Sequence, residues 1–133
     1  MKIAIAASMK FAKEIIEAKK ILEQNGHSTI IPENTENYAK GIVEIENKQE
    51  KIELNVIKSY YEQIKNADAS LIINKDKNGI KNYIGGNSLI EMAFAHVHDK
   101  KIFLLHPIPD IGYSDEIWAM KPIILDSDLN RIK

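Results

Sequence analysis

The chain has 133 residues, 44% apolar and 28% charged, with a formal net charge of −1. That length suits one domain, residues 1–133, with a sizeable core, and the interspersed charge lacks the basic stripe that a nucleic-acid polymer demands. There is no cysteine, which excludes disulfides and thiolate metal sites, and no apolar run long enough to span a bilayer.

Ile3–Ala7 is an apolar run that reads as a buried strand, with no signal-peptide layout before it; the cytoplasm is the expected setting. Ser8 leads into a helix whose apolar stripe is Phe11, Ile15, Ala18 and Leu22, stopped at Asn25-Gly26. His27–Ile31 predicts a second strand, closed by Pro32. The polar stretch 33–50 predicts a long loop with a helical piece from Ile42 to Gln49. Ile57, Tyr60, Tyr61 and Ile64 hold helical spacing, which assigns both tyrosines to core packing. Ala69–Ile73 is a third strand, and Asn74–Gly86 a polar, glycine-containing loop. A helix follows from Ser88 to His98, with Ile90, Ala93, Phe94 and Val97 as its expected apolar face. Lys101–Leu105 is a fourth strand, His106-Pro107-Ile108-Pro109 a rigid turn, Ser114–Met120 a short helix and Pro122–Leu125 a last strand.

The strands are apolar throughout rather than alternating, and helices separate them. This predicts an α/β fold, a flavodoxin-like or Rossmann-like three-layer sandwich with about five parallel strands in the order 2-1-3-4-5. Ligands of such sheets sit beyond the carboxyl ends of the strands, at the switch point. The loops gathered there carry Ser8 and Lys10, then Asn74–Glu91, then His106–Tyr113.

Ser88-Leu89-Ile90-Glu91 has two readings. It is a capping box, in which Ser88 and Glu91 exchange backbone bonds. It also places a carboxylate near a helix N-terminus, where the macrodipole favours the ionised form that a nucleophile needs. Gly85 and Gly86 let a substrate approach the backbone. Ser8 and Lys10 are either an anion site or an ordinary cap beside a solvated lysine. His96 and His98 point about 200° apart on a helix and cannot share an ion, so no metal is expected. No dinucleotide or P-loop glycine pattern occurs, and no cofactor is expected. Tyr83 is placed to stack on a base, His106 and Asp110 lie in a loop that reaches the ligand, and Trp118 belongs to the core or a subunit interface.

Three blocks, IAIAASMK, NADASLIIN and GGNSLIEMAFAHVHDKKIFLL, resemble the nucleoside 2-deoxyribosyltransferase superfamily, which includes the deoxynucleoside 5′-monophosphate N-glycosidases. The likeness covers roughly residues 1–32 and 57–106. It implies cleavage of the bond between base and deoxyribose, with Glu91 as the nucleophile that forms a glycosyl-enzyme and with water or a second base resolving it. It also implies a phosphate site at Ser8 and Lys10, a nucleoside or nucleotide as small-molecule partner, and a homodimer or higher homo-oligomer in which a neighbouring chain completes the pocket. Asn87, Ser88, Gly85, Gly86, Tyr83 and His106 complete the expected ligand contacts. The chain departs from the family at two positions, with Tyr60 and Gly85 where carboxylates, or at the second a serine, are usual. Asp68 matches a common family position. Asp76, Asp110 and His106 are the loop candidates for the general acid. The competing reading is a non-catalytic nucleotide-binding or regulatory module on the same fold, with Glu91 only a cap.

Overall fold

Five strands form one sheet in the order β2-β1-β3-β4-β5: β1 (Lys2–Ala6), β2 (Ser28–Ile30), β3 (Ala69–Ile72), β4 (Lys101–Leu104) and β5 (Ile123–Ile124). Every pairing is parallel, with Ile3 opposite Thr29 and Ala69, and Leu71 opposite Phe103. The computed structural model describes residues 1–33, 35–41 and 56–133. The expected fold class and strand order are those observed.

Strand alternation sorts the core into two layers. Ile3, Ile5, Ala69, Leu71 and Phe103 meet Ile15, Ala18 and Leu22 of α1 (Ala12–Gln24) on one face. Ala4, Ala6, Ile72, Ile102 and Leu104 meet the other layer. There α3 (Val56–Lys65) supplies Tyr60 and Ile64, α4 (Gly86–Val97) supplies Met92 and Ala95, and α5 (Ser114–Ala119) supplies Ile117. Both faces of each central strand are covered, which is why the strands read as unbroken apolar runs. No helix among the described residues is long and apolar enough to cross a membrane.

Two local expectations are corrected and one is left untested. A short helix, α2 (Thr35–Ala39), stands where a loop was predicted; the buried Thr35 hydroxyl donates to Pro32 O at 2.5 Å and starts it. The predicted helical piece Ile42–Gln49 lies outside the described residues. The buried face of α4 is Ser88, Met92 and Ala95, whereas Ile90 and Val97 are 38% and 68% exposed. This helix is apolar nearly all round, so its spacing alone does not say which side faces the sheet.

At the amino ends of the strands, Asp68 Oδ2 accepts from Lys2 N (2.8 Å) while Asp68 N donates to Lys2 O (2.7 Å). Asp68 is thus a structural clamp between β1 and the approach to β3. Trp118 is 67% exposed on α5, outside the core.

Candidate functional site

The order 2-1-3-4-5 puts the switch point between β1 and β3, and chain direction turns outward there. Tyr60 marks this place. Its ring is buried in the α3 layer, and its hydroxyl donates to Ile5 O near the carboxyl end of β1, with Ile30 O at the end of β2 3.2 Å away. The hydroxyl is held well above the ordinary tyrosine range, first by burial and then by the negative charge of Glu91. The carboxylate of Glu91 therefore lies within electrostatic reach of the strand ends at the switch point.

Glu91 is half-buried, the sixth residue of α4. The capping-box reading does not describe this helix. It starts at Gly86 with Gly85 as its N-cap and no side-chain capping bond; Ser88 is buried within the first turn. Glu91 sits one turn further along, at the sixth position of the helix.

On the other side of β1, Ser8 follows the strand and accepts from Lys10 N at 3.3 Å. The Lys10 side chain is exposed. A second lysine comes closer: Lys77 Nζ donates to Ser8 Oγ at 2.9 Å and lies 5.6 Å from the Tyr83 ring centroid. Tyr83 in turn covers Gly85, whose missing Cβ would stand 3.2 Å from the ring; a side chain there would push the ring aside. Gly86 has open space around its Cβ position. Asn87 is half-buried in the same turn.

The loop after β4 is held by Asn74, which is fully buried just past β3. Its Oδ1 accepts from His106 N (2.9 Å), and its Nδ2 donates to His106 O (2.9 Å) and Pro107 O (3.1 Å). Tyr113 donates from its hydroxyl to Ile84 O, fastening the same loop to the residue before the two glycines. Burial, then the nearby Tyr83, hold the Tyr113 hydroxyl above its ordinary range. His106 Nδ1 lies 3.1 Å from Ser127 Oγ. Burial, then the charge of Lys75, lower its pKa, and Asp76 opposes them. A histidine lowered from 6.5 is largely neutral at pH 7 and poorly suited to donate a proton. Asp76 accepts from Asn82 N at 2.9 Å and closes its own loop, while Asp110 is exposed. A cavity of about 350 Å³ opens beside the end of β2, lined by Ile31, Pro32, Glu33, Thr35, Glu36 and Asn37.

The chain superposes over 99% of its length on a structure from the psychrotolerant bacterium Bacillus psychrosaccharolyticus, a 2-deoxyribosyltransferase described as a biocatalyst for nucleoside synthesis. The TM-score is 0.66 at 20% identity, and 90% of that chain is covered. The fold is shared with a 2-deoxyribosyltransferase. No family model matches the sequence, and no curated protein matches it.

Ser8, Lys77, Tyr83 and Gly85 form a run of contacts from the end of β1 to the start of α4, and the charge of Glu91 is felt at Tyr60. His106 is turned towards Ser127 and the Lys75–Asp76 side of the loop. The Tyr61 hydroxyl meets His98 Nε2 at 2.8 Å and its ring meets Phe94 edge-on, so Tyr61 joins α3 to α4. Sequence reasoning missed Asn74, Lys77 and Tyr113. The Asn78-Gly79 pair signals a tight hairpin beside Lys77, but not the contact of Lys77 with Ser8.

Proposed function

We propose that the chain cleaves the N-glycosidic bond of a (deoxy)nucleoside or its 5′-monophosphate, with Glu91 as nucleophile. A carboxylate oxygen attacks the anomeric carbon. The carbon–nitrogen bond breaks, and its electron pair leaves on the base, which takes up a proton. The resulting glycosyl ester is opened at the same carbon by water (hydrolysis) or by a second base (transfer), which restores the carboxylate. The observation that carries this reading is the half-buried Glu91 whose charge is felt at Tyr60, on the strand ends of the switch point. The shared fold supports it. Ser8, Lys10, Tyr83, Gly85, Gly86, Asn87, Ser88 and His106 are the residues we assign to ligand contact. No cofactor or metal takes part, and the proposed setting is the cytoplasm. Homodimerisation belongs to the same proposal; the apolar Ile90 and Val97 on the outer face of α4, with Ile57 of α3 44% exposed, support it.

Tyr60 and Gly85, at positions where the resemblance leads one to expect carboxylates or serine, favour the second reading, a nucleotide-binding module without turnover. A chromatographic screen of free-base release from the deoxynucleosides and their 5′-monophosphates separates the two. The wild type should release base, and Glu91→Gln should lower the rate by orders of magnitude while melting within about 4 °C of wild type. A wild type that releases no base from any of them refutes catalysis.

A further inference from the structure

We infer that Lys77, together with Ser8, binds an anionic phosphate of the ligand and makes the site prefer a nucleoside 5′-monophosphate to the bare nucleoside. The inference rests on the nucleotide reading proposed above, and it names a cation that the sequence pattern did not assign.

The argument begins with how Lys77 is held. Lys77 and Ile80 exchange both backbone bonds, Lys77 N to Ile80 O (3.0 Å) and Ile80 N to Lys77 O (2.9 Å). The two residues between them, Asn78 and Gly79, have φ of 53° and 78°. Two successive positive φ values are those of a type I′ turn, which asparagine and glycine adopt most easily. Tyr83 N donates to Lys75 O (3.1 Å) and Asn82 N to Asp76 Oδ1 (2.9 Å), so the whole segment is tied to itself. The ammonium is thus carried on a braced hairpin, and little ordering is left to be done when a ligand arrives.

Hydrogen-bond bookkeeping then fixes the kind of ligand. Ser8 Oγ accepts from Lys77 Nζ and from Lys10 N. With its lone pairs engaged, the hydroxyl has only its proton to offer. Lys77 has three N–H donors and gives one to Ser8. Its other neighbour is the Tyr83 ring face, which steadies a cation without neutralising it. Among the described residues no carboxylate pairs with Lys77. The pair therefore presents donors and an uncompensated positive charge beside the end of β1, a match for an acceptor-only, anionic group such as a phosphate. Lys10 contributes its backbone N–H to Ser8, with its side chain turned out.

The test is calorimetric titration of wild type, Lys77→Ala, Lys77→Arg and Lys10→Ala with inorganic phosphate, the deoxynucleoside 5′-monophosphates and the matching nucleosides. Circular dichroism melts confirm that each variant is folded. Lys77→Ala should weaken phosphate and monophosphate binding about ten- to hundredfold, with the nucleosides nearly unchanged. Lys77→Arg should restore most of the loss, and Lys10→Ala should cost less than Lys77→Ala. Equal weakening of nucleosides and monophosphates, no weakening, or wild type that binds neither phosphate nor a monophosphate overturns the inference. A catalytic failure shows separately: absence of base release with the Lys77-dependent phosphate binding intact removes turnover and leaves the anion site standing.

Discussion

Replacing Asn74 with alanine should loosen the loop after β4. The side chain is fully buried and makes three bonds, one from His106 N and two to the carbonyls of His106 and Pro107. Alanine leaves the amide without a partner and opens a small void, while the two carbonyls, nearer the surface, are partly rehydrated. An unsatisfied buried group costs about 1–3 kcal/mol, and the lost bonds bring the total to roughly 2–4 kcal/mol. For a chain of 133 residues each kcal/mol moves the melting temperature by about 3–4 °C, so Tm should fall by roughly 6–15 °C. Asn74→Asp should fall at least as far, because two carbonyls would face an acceptor in place of a donor. Asp110→Ala, an exposed change in the same loop, is the control and should stay within about 2 °C. Differential scanning calorimetry reads all three. An alanine variant melting within about 2 °C of wild type would show that these bonds do not hold the loop.

Two further outcomes follow from buried or shifted groups. Tyr60→Phe removes the hydroxyl bonded to Ile5 O and should cost about 1–2 kcal/mol in urea unfolding; an unchanged midpoint at unchanged slope counts against that bond. His106 has its pKa lowered in the fold, so the unfolded chain takes up the proton first as pH drops through about 6.5, and stability falls from there towards the folded value. Between pH 8 and 5 the wild type should therefore lose more Tm than His106→Gln, and equal losses would remove His106 from the pH response.

Apolar strand runs and the helical stripe of α1 were legible because each element buries its whole apolar set against the sheet. The face of α4 was not, because Leu89, Ile90, Met92, Ala93, Phe94, Ala95 and Val97 leave no polar side to orient it. Glu91 and Ser8 could be placed from loop position in the inferred sheet. Lys77 could not, since nothing in a lysine's own identity says whether it is solvated or brought 69 residues back along the chain to a serine. Asn74 was hidden for the same reason: its partners lie more than 30 residues on and come together only through the β3–β4 pairing.

The closed hairpin at residues 75–83 makes that segment a detachable cassette. Several of its bonds stay within its own residues, and it meets the body through a few side chains, among them Lys77 on Ser8, Lys75 near Glu14 at 3.6 Å and Tyr83 over Gly85. Exchanging its tip for one with an acidic or neutral residue in place of the lysine would retune which ligands are admitted while the five-stranded platform and Glu91 stay as they are.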